Sequence, residues 1–148
     1  MAFARSRLRA VLRKTQFSSI HETAPVGTPD PQPHFLNAAI TGETLLSPRD
    51  LVEVLQSIEQ ARGRERPFQC AARTLDLDLI LFGTETLAEA RVTVPHPRFR
   101  ERGFVLRPLS EIAPDWLDPV TGLTVAQLLG QLQRAEAAKD SNAAPDKR

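Results

Sequence analysis

Cysteine is nearly absent: Cys70 stands alone among 148 residues. That excludes an intramolecular disulfide framework and any CxxC metal site, and it fits a reducing compartment. An excess of one charge is also missing. Nineteen basic and eighteen acidic side chains leave a net charge of +1, too little field to draw in a nucleic-acid backbone. No apolar run approaches the roughly 20 residues that cross a bilayer. The N-terminus has scattered arginines but no apolar segment of the secretory kind. Neither glycine-rich phosphate cradle, G-x-x-x-x-G-K-[ST] or G-x-G-x-x-G, is present, and no Ser-His-Asp or Cys-His arrangement stands out. A nucleotide would therefore have to be held by arginines and metal ions. Apolar content of 41% and charged content of 25% are ordinary for a soluble globular chain of one domain. A cytoplasmic protein with no membrane and no nucleic-acid partner is expected.

Proline, by contrast, is plentiful. Of twelve in the chain, nine cluster at 25–33 and 95–119, where irregular loops are expected. Residues 2–14 read as a helix with Leu8, Val11 and Leu12 on one stripe. The same Arg-rich, acid-free segment also has the composition of a mitochondrial targeting helix. Residues 15–23 are β-prone, and 24–33 form a long proline loop. Phe35 to Thr44 reads as a strand in which Asn37 sits among apolar residues; if buried, it needs hydrogen-bond partners. Ser47-Pro48-Arg49-Asp50 is a helix start. Leu51, Val54, Leu55 and Ile58 carry its apolar face to about Ala61, with Gly63 as the stop. Short strands are expected within 84–91 and at 92–94, and one helical turn at Leu109–Ile112. Trp116 reads as core or edge packing. A final amphipathic helix spans Thr124 to Ala138, and 139–148 reads as a disordered tail, leaving 1–138 as the domain.

The rest is organised around Arg73-Thr74-Leu75-Asp76-Leu77-Asp78-Leu79-Ile80-Leu81-Phe82. Apolar and charged residues alternate from Leu75 to Leu79, the period of a strand. Alternate side chains share a face, so Asp76 and Asp78 project together, about 6–7 Å apart at the backbone. Adjacent carboxylates repel unless a cation lies between them. A pair of hard divalent ions such as Mg²⁺, completed by phosphate oxygens, satisfies both. The same pattern also describes the solvated face of an ordinary half-buried strand. Arg62, Arg64, Arg66 and Arg73 precede the two aspartates, and guanidinium forks bind phosphate oxygens bidentately. Acid pair and arginines together describe a polyphosphate site. His96, between Pro95 and Pro97 and followed by Arg98, Arg100 and Arg102, is either structural or a phosphate contact.

The blocks Arg73-Thr74-Leu75-Asp76-Leu77-Asp78, Val94-Pro95-His96, Arg102-Gly103-Phe104 and Pro108-Leu109-Ser110-Glu111-Ile112-Ala113-Pro114 resemble the 6-hydroxymethyl-7,8-dihydropterin pyrophosphokinase family of folate biosynthesis. The likeness runs from about Thr15 to Trp116 and includes Phe35-Leu36-Asn37-Ala38-Ala39, Ile58-Glu59 and Gly63-Arg64. It implies an α+β domain of the ferredoxin-like plait kind, with a mainly antiparallel sheet covered by helices, acting as a monomer. The implied reaction moves the terminal diphosphate of ATP to the pterin hydroxymethyl group and releases AMP. By resemblance, Asp76 and Asp78 hold two Mg²⁺ ions. Arg64, Arg66, Arg73, His96 and Arg102 surround the triphosphate, with Arg64 and Arg73 beside the aspartates as catalytic groups. Gln56 and Glu59 lie near the nucleotide. Thr23, Ala24, Val26, Phe35, Asn37 and Phe104 match the pterin pocket.

Some positions depart from the family pattern. The family begins with a strand ending in Gly-Ser-Asn, whereas Met1 opens almost directly on the first helix. The expectation is that the first strand is missing. Cys70-Ala71-Ala72 stands where the family carries Trp-Gly-Pro, and Ala24 replaces the first proline of a Thr-Pro-Pro turn. These departures motivate a rival, a truncated or non-catalytic homologue that binds nucleotide or a partner without turnover. A nucleic-acid-binding plait is disfavoured by the near-zero charge, and membership of a longer multifunctional folate enzyme by the polar C-terminal residues.

Overall fold

The computed structural model of the chain describes residues 2–23, 35–65 and 75–143. Helix α1, Ala2–Val11, buries Ala4 and Leu8. It is shorter than the expected 2–14 span. Arg13 and Lys14 belong instead to strand β1, Arg13–Phe17, where Thr15 and Phe17 favour extended backbone. Lys14 takes a positive φ of 52°, and the pairing shifts register between Arg13 and Gln16, as a bulge requires.

Three more strands follow: β2, His21–Thr23, β3, Phe35–Asn37, and β4, Ile40–Glu43. The single strand expected over 35–44 is thus two. β2 pairs antiparallel with β3, and β1 with β4. Between the two ladders the Ser18 N–H donates to the Ala39 carbonyl at 2.9 Å, and the Ala39 N–H donates to Ser18 Oγ at 2.8 Å. A serine hydroxyl therefore replaces a ladder rung and carries the ribbon across its break.

Helix α2, Pro48–Glu65, starts as its sequence dictates. Ser47 Oγ accepts the Asp50 N–H at 3.1 Å, satisfying one of the free donors at the helix start. Gly63 does not stop it. The position has open space around it, and the helix continues to Glu65. Strands β5, Leu87–Ala88, and β6, Thr93–Val94, form a short antiparallel hairpin. The turn that leads into it has Gly83 at φ 56°, a left-handed conformation that glycine adopts without steric cost.

After a 3₁₀ turn at Phe99–Glu101, helix α3 spans Gly103–Ile112. This is longer than the single turn expected, because the helix passes through Pro108. That residue lacks an N–H, so the Phe104 carbonyl loses its intrahelical partner. Helix α4, Val125–Ala143, opens with a reciprocal cap: Thr124 Oγ1 accepts the Gln127 N–H at 3.1 Å, and Gln127 Oε1 accepts the Thr124 N–H at 2.8 Å. It runs into the first five residues of the expected tail.

Helices and three two-stranded antiparallel sheets make this an α+β chain among the described residues. Two apolar clusters hold it together. Leu8, Leu51, Leu55 and Ile58 join α1 to α2, while Phe99, Leu106, Leu109, Ala113, Val125 and Leu128 join α3 to α4. Residues 75–82 tie the clusters: Leu75, Leu77, Leu79 and Phe82 pack on the first, and Ile80 and Leu81 on the second. This segment was expected as a strand but, among the described residues, belongs to no ladder. Its backbone bonds elsewhere: the Leu77 N–H donates to a side chain, the Ile80 carbonyl accepts the His96 N–H at 2.8 Å, and the Phe82 carbonyl accepts the Glu85 N–H at 3.0 Å. No described helix is long and apolar enough to cross a membrane.

Candidate active site

The alternation read from the sequence holds at Leu75–Leu79 without a ladder. The three leucines are half-buried, and Asp76 and Asp78 are exposed. Both aspartates line a cavity of about 420 Å³ together with Asn37, Arg102, Phe104 and Trp116. Each side chain arrives on a different support. Asn37 closes β3, Arg102 precedes α3, and Phe104 sits in the first turn of α3. The Arg102 guanidinium lies 5.6 Å from the Phe104 ring centre, so a cation and an aromatic face are presented side by side. The positive end of the α3 dipole adds to that charge. Leu8, Leu12, Ile40, Leu51 and Leu55 form the apolar end of the same cavity.

Glu59 and His96 adjoin it. Glu59 Oε2 accepts the Leu77 N–H at 2.5 Å, which fastens α2 to the peptide between the two aspartates. Burial pushes the Glu59 carboxyl up, the Leu77 N–H opposes this, and the negative charges of Asp76 and Asp78 add to the rise. A raised folded-state pKa means that ionisation opposes folding. This contribution to stability is complete below the ordinary value of 4.5 and is lost as pH rises through the raised one. Glu59→Gln keeps the acceptor and removes the charge. Between about pH 4 and about pH 7, denaturant midpoints of the wild type should therefore fall relative to those of the variant. A gap that does not change with pH would contradict the arrangement.

Burial, and next the charge of Arg102, holds the His96 imidazole below its ordinary 6.5, against the pull of Asp78. It is neutral at pH 7. Its Nδ1 accepts the Arg98 N–H at 3.1 Å, so the proton sits on Nε2 and can be donated to an anion.

Of the residues singled out in the sequence, Asp76, Asp78, Asn37, Arg102 and Phe104 are brought to one cavity. Gln56 is exposed on α2, three residues from Glu59, and does not line it. Thr23 and Phe35 are cross-strand partners, the last pair of the β2–β3 ladder before the chain connection between the two strands. Arg64 lies in the last turn of α2. Ala24, Val26, Arg66 and Arg73 lie outside the described residues. Trp116 was read as packing, yet it is 41% exposed and lines the cavity. No spacing signal marked it, because the Pro114–Trp116 turn carries no periodicity.

Among the described residues no group of three or more His, Cys, Asp or Glu is placed to hold a metal ion. The two aspartates nevertheless fit Mg²⁺, a hard cation that takes one or two carboxylates and completes its shell with water and substrate phosphates.

The family profile described as 7,8-dihydro-6-hydroxymethylpterin-pyrophosphokinase matches residues 1–114. Curated relatives named 2-amino-4-hydroxy-6-hydroxymethyldihydropteridine pyrophosphokinase include one from Synechocystis sp., 44% identical over 131 residues, covering 88% of this chain and 66% of its own length. One from Bacillus subtilis is 48% identical over 103 residues, covering 70% of this chain and 61% of its own. One from Methylorubrum extorquens is 40% identical over 121 residues, covering 82% and 75%. The chain thus spans just under two thirds of the first two relatives.

Proposed function

Since the chain belongs to the 7,8-dihydro-6-hydroxymethylpterin-pyrophosphokinase family, we propose that it transfers diphosphate from ATP to 6-hydroxymethyl-7,8-dihydropterin. The observation that carries this reading is one cavity lined by the carboxylates of Asp76 and Asp78, the guanidinium of Arg102, the ring of Phe104 and the amide of Asn37. Carboxylates and guanidinium suit a metal-bound triphosphate. The ring and the amide suit a flat heterocycle with donors and acceptors along its edge.

In the proposed reaction the hydroxymethyl oxygen attacks the β-phosphorus of ATP and loses its proton. The bond from that phosphorus to the α–β bridging oxygen breaks, and AMP leaves. The chain's contribution is placement and charge. Phe104 stacks on the pterin, and Asn37 reads its edge. Arg102 and the Nε2–H of His96 face phosphate oxygens, joined by Arg64, Arg66 and Arg73. Glu59 holds the peptide between the aspartates at a set position. Mg²⁺, held by Asp76 and Asp78, would offset charge that builds on the phosphates. Thr23, Ala24, Val26 and Phe35 complete the pterin pocket, and Gln56 stands toward the nucleotide. The proposal includes a monomer at work in the cytoplasm.

The ferredoxin-like plait belongs to the same reading. Among the described residues, 75–82 pair with no strand, and the cavity beside them has an apolar end. A strand laid there would join β4 to 75–82 in one sheet. The comparisons do not favour the non-catalytic alternative.

Trp116 supplies the test, as the chain's one tryptophan and a wall of the cavity. With an unreactive ATP analogue and Mg²⁺ present, the pterin is expected to quench its emission saturably. Phe104→Ala should weaken that binding about tenfold, the loss of one stacking contact. An emission that ignores the pterin would refute the assignment of the pocket.

A further inference from the structure

Outside the reacting groups, one carboxylate gathers three donors. Glu111, near the end of α3, takes the Ser19 N–H on Oε1 at 3.1 Å and the Ser19 hydroxyl at 2.7 Å from each carboxylate oxygen. His21 Nε2 lies 3.0 Å from Oε1. Ser19 belongs to the break between β1 and β2, and His21 opens β2. The contact therefore spans about ninety residues of sequence and fastens the β2–β3 hairpin to α3, which packs on β2, β3 and β4.

Both ends of this contact lead to the cavity. His21 is the direct cross-strand partner of Asn37, and opposed residues of an antiparallel pair project on one face. Phe104 precedes Glu111 by seven residues, about two helical turns, so the two share a side of α3. The amide of Asn37 and the ring of Phe104 are thus each one short lever from the same carboxylate.

We propose that Glu111 is a positioning residue: by tying Ser19 and His21 to α3 it sets the spacing between Asn37 and Phe104, and so the width of the slot that takes the flat heterocycle. This rests on reading that slot as the pterin pocket. Glu111 touches no reacting atom. Its effect falls on the pterin and far less on ATP, because most of the nucleotide side is built from α2, 75–78 and His96, to which the clamp is not joined; only Arg102 adjoins α3, nine residues before Glu111.

The test pairs amide hydrogen exchange with steady-state kinetics. In Glu111→Ala, exchange at His21 and Asn37, which face each other across the β2–β3 ladder, should speed up about tenfold, as local opening becomes easier. The KM for the pterin should rise about tenfold, with the KM for ATP within about twofold. Glu111→Gln keeps an acceptor oxygen and should recover most of both losses. Glu136→Ala removes a different contact of α3, the bond from Arg107 to Glu136 at 3.1 Å, and should move neither. Unchanged exchange in Glu111→Ala overturns the clamp whatever the wild type catalyses. Faster exchange with both KM values rising together overturns the positioning role. A protected hairpin in a wild type that never turns over the pterin upholds the clamp and overturns the pterin reading.

Discussion

Asp78→Asn is expected to lower diphosphate transfer by about a thousandfold or more, the range seen when one preorganised charged group is removed from a phosphoryl-transfer site. The side chain is exposed and lines the cavity, beside Asp76 and within the field of Glu59 and His96. A carboxylate kept among two others has an electrostatic cost unless a cation arrives. Asparagine is nearly isosteric and removes that repulsion, so thermal stability should stay within about 0.5 kcal/mol or rise slightly. Loss of rate without loss of fold separates a metal-holding role from a structural one. Normal rates in a folded Asp78→Asn variant would remove the metal assignment.

The second large effect lies away from the cavity. Arg100 grips Asp118 with two hydrogen bonds, Nε–H to Oδ2 at 2.5 Å and Nη2–H to Oδ1 at 2.8 Å. Asp118 is fully buried and also accepts the Val120 N–H at 3.1 Å and the Thr121 hydroxyl at 2.7 Å. Burial alone would push its carboxyl up. The bonds from Arg100, Thr121 and Val120 outweigh that and hold it down at about 2, against an ordinary 3.8. Arg100→Met leaves the buried charge without its cation and should cost about 3 kcal/mol at neutral pH. The sign with pH follows from the depressed value. In the wild type this stability is present above 3.8 and is lost as pH falls through about 2. The gap between wild type and Arg100→Met in denaturant melts should therefore narrow on acidification. A gap that widens would show that the pair does not stabilise the fold.

How much of this could be read from residues alone varies with how local the cause is. The Ser47 cap, the start of α2 and the facing of Leu75, Leu77 and Leu79 follow from near neighbours, and the structure has them. The ladder expected through 75–82 does not follow, because pairing depends on a strand elsewhere, and here the backbone is spent on Glu59 and His96. Helix α3 was hidden by Gly103 and Pro108. Propensity argues against a helix there, and packing of Leu106 and Leu109 overrides it. At the site, the cations and the carboxylates were legible as residue types that suit phosphate, while Phe104 was marked only by the family resemblance. The anchoring of Leu77 by Glu59, the wall made by Trp116 and the clamp at Glu111 were not. Each depends on contacts between segments distant in sequence, for which no spacing rule exists.

The most direct test of the central claim is AMP formation by this chain with ATP, Mg²⁺ and 6-hydroxymethyl-7,8-dihydropterin, run beside the same chain preceded by a strand ending in Gly-Ser-Asn. AMP that appears only when the pterin is present, from either form, is the expected result. A folded protein that forms no AMP in both forms, or forms it equally without the pterin, would contradict the assignment.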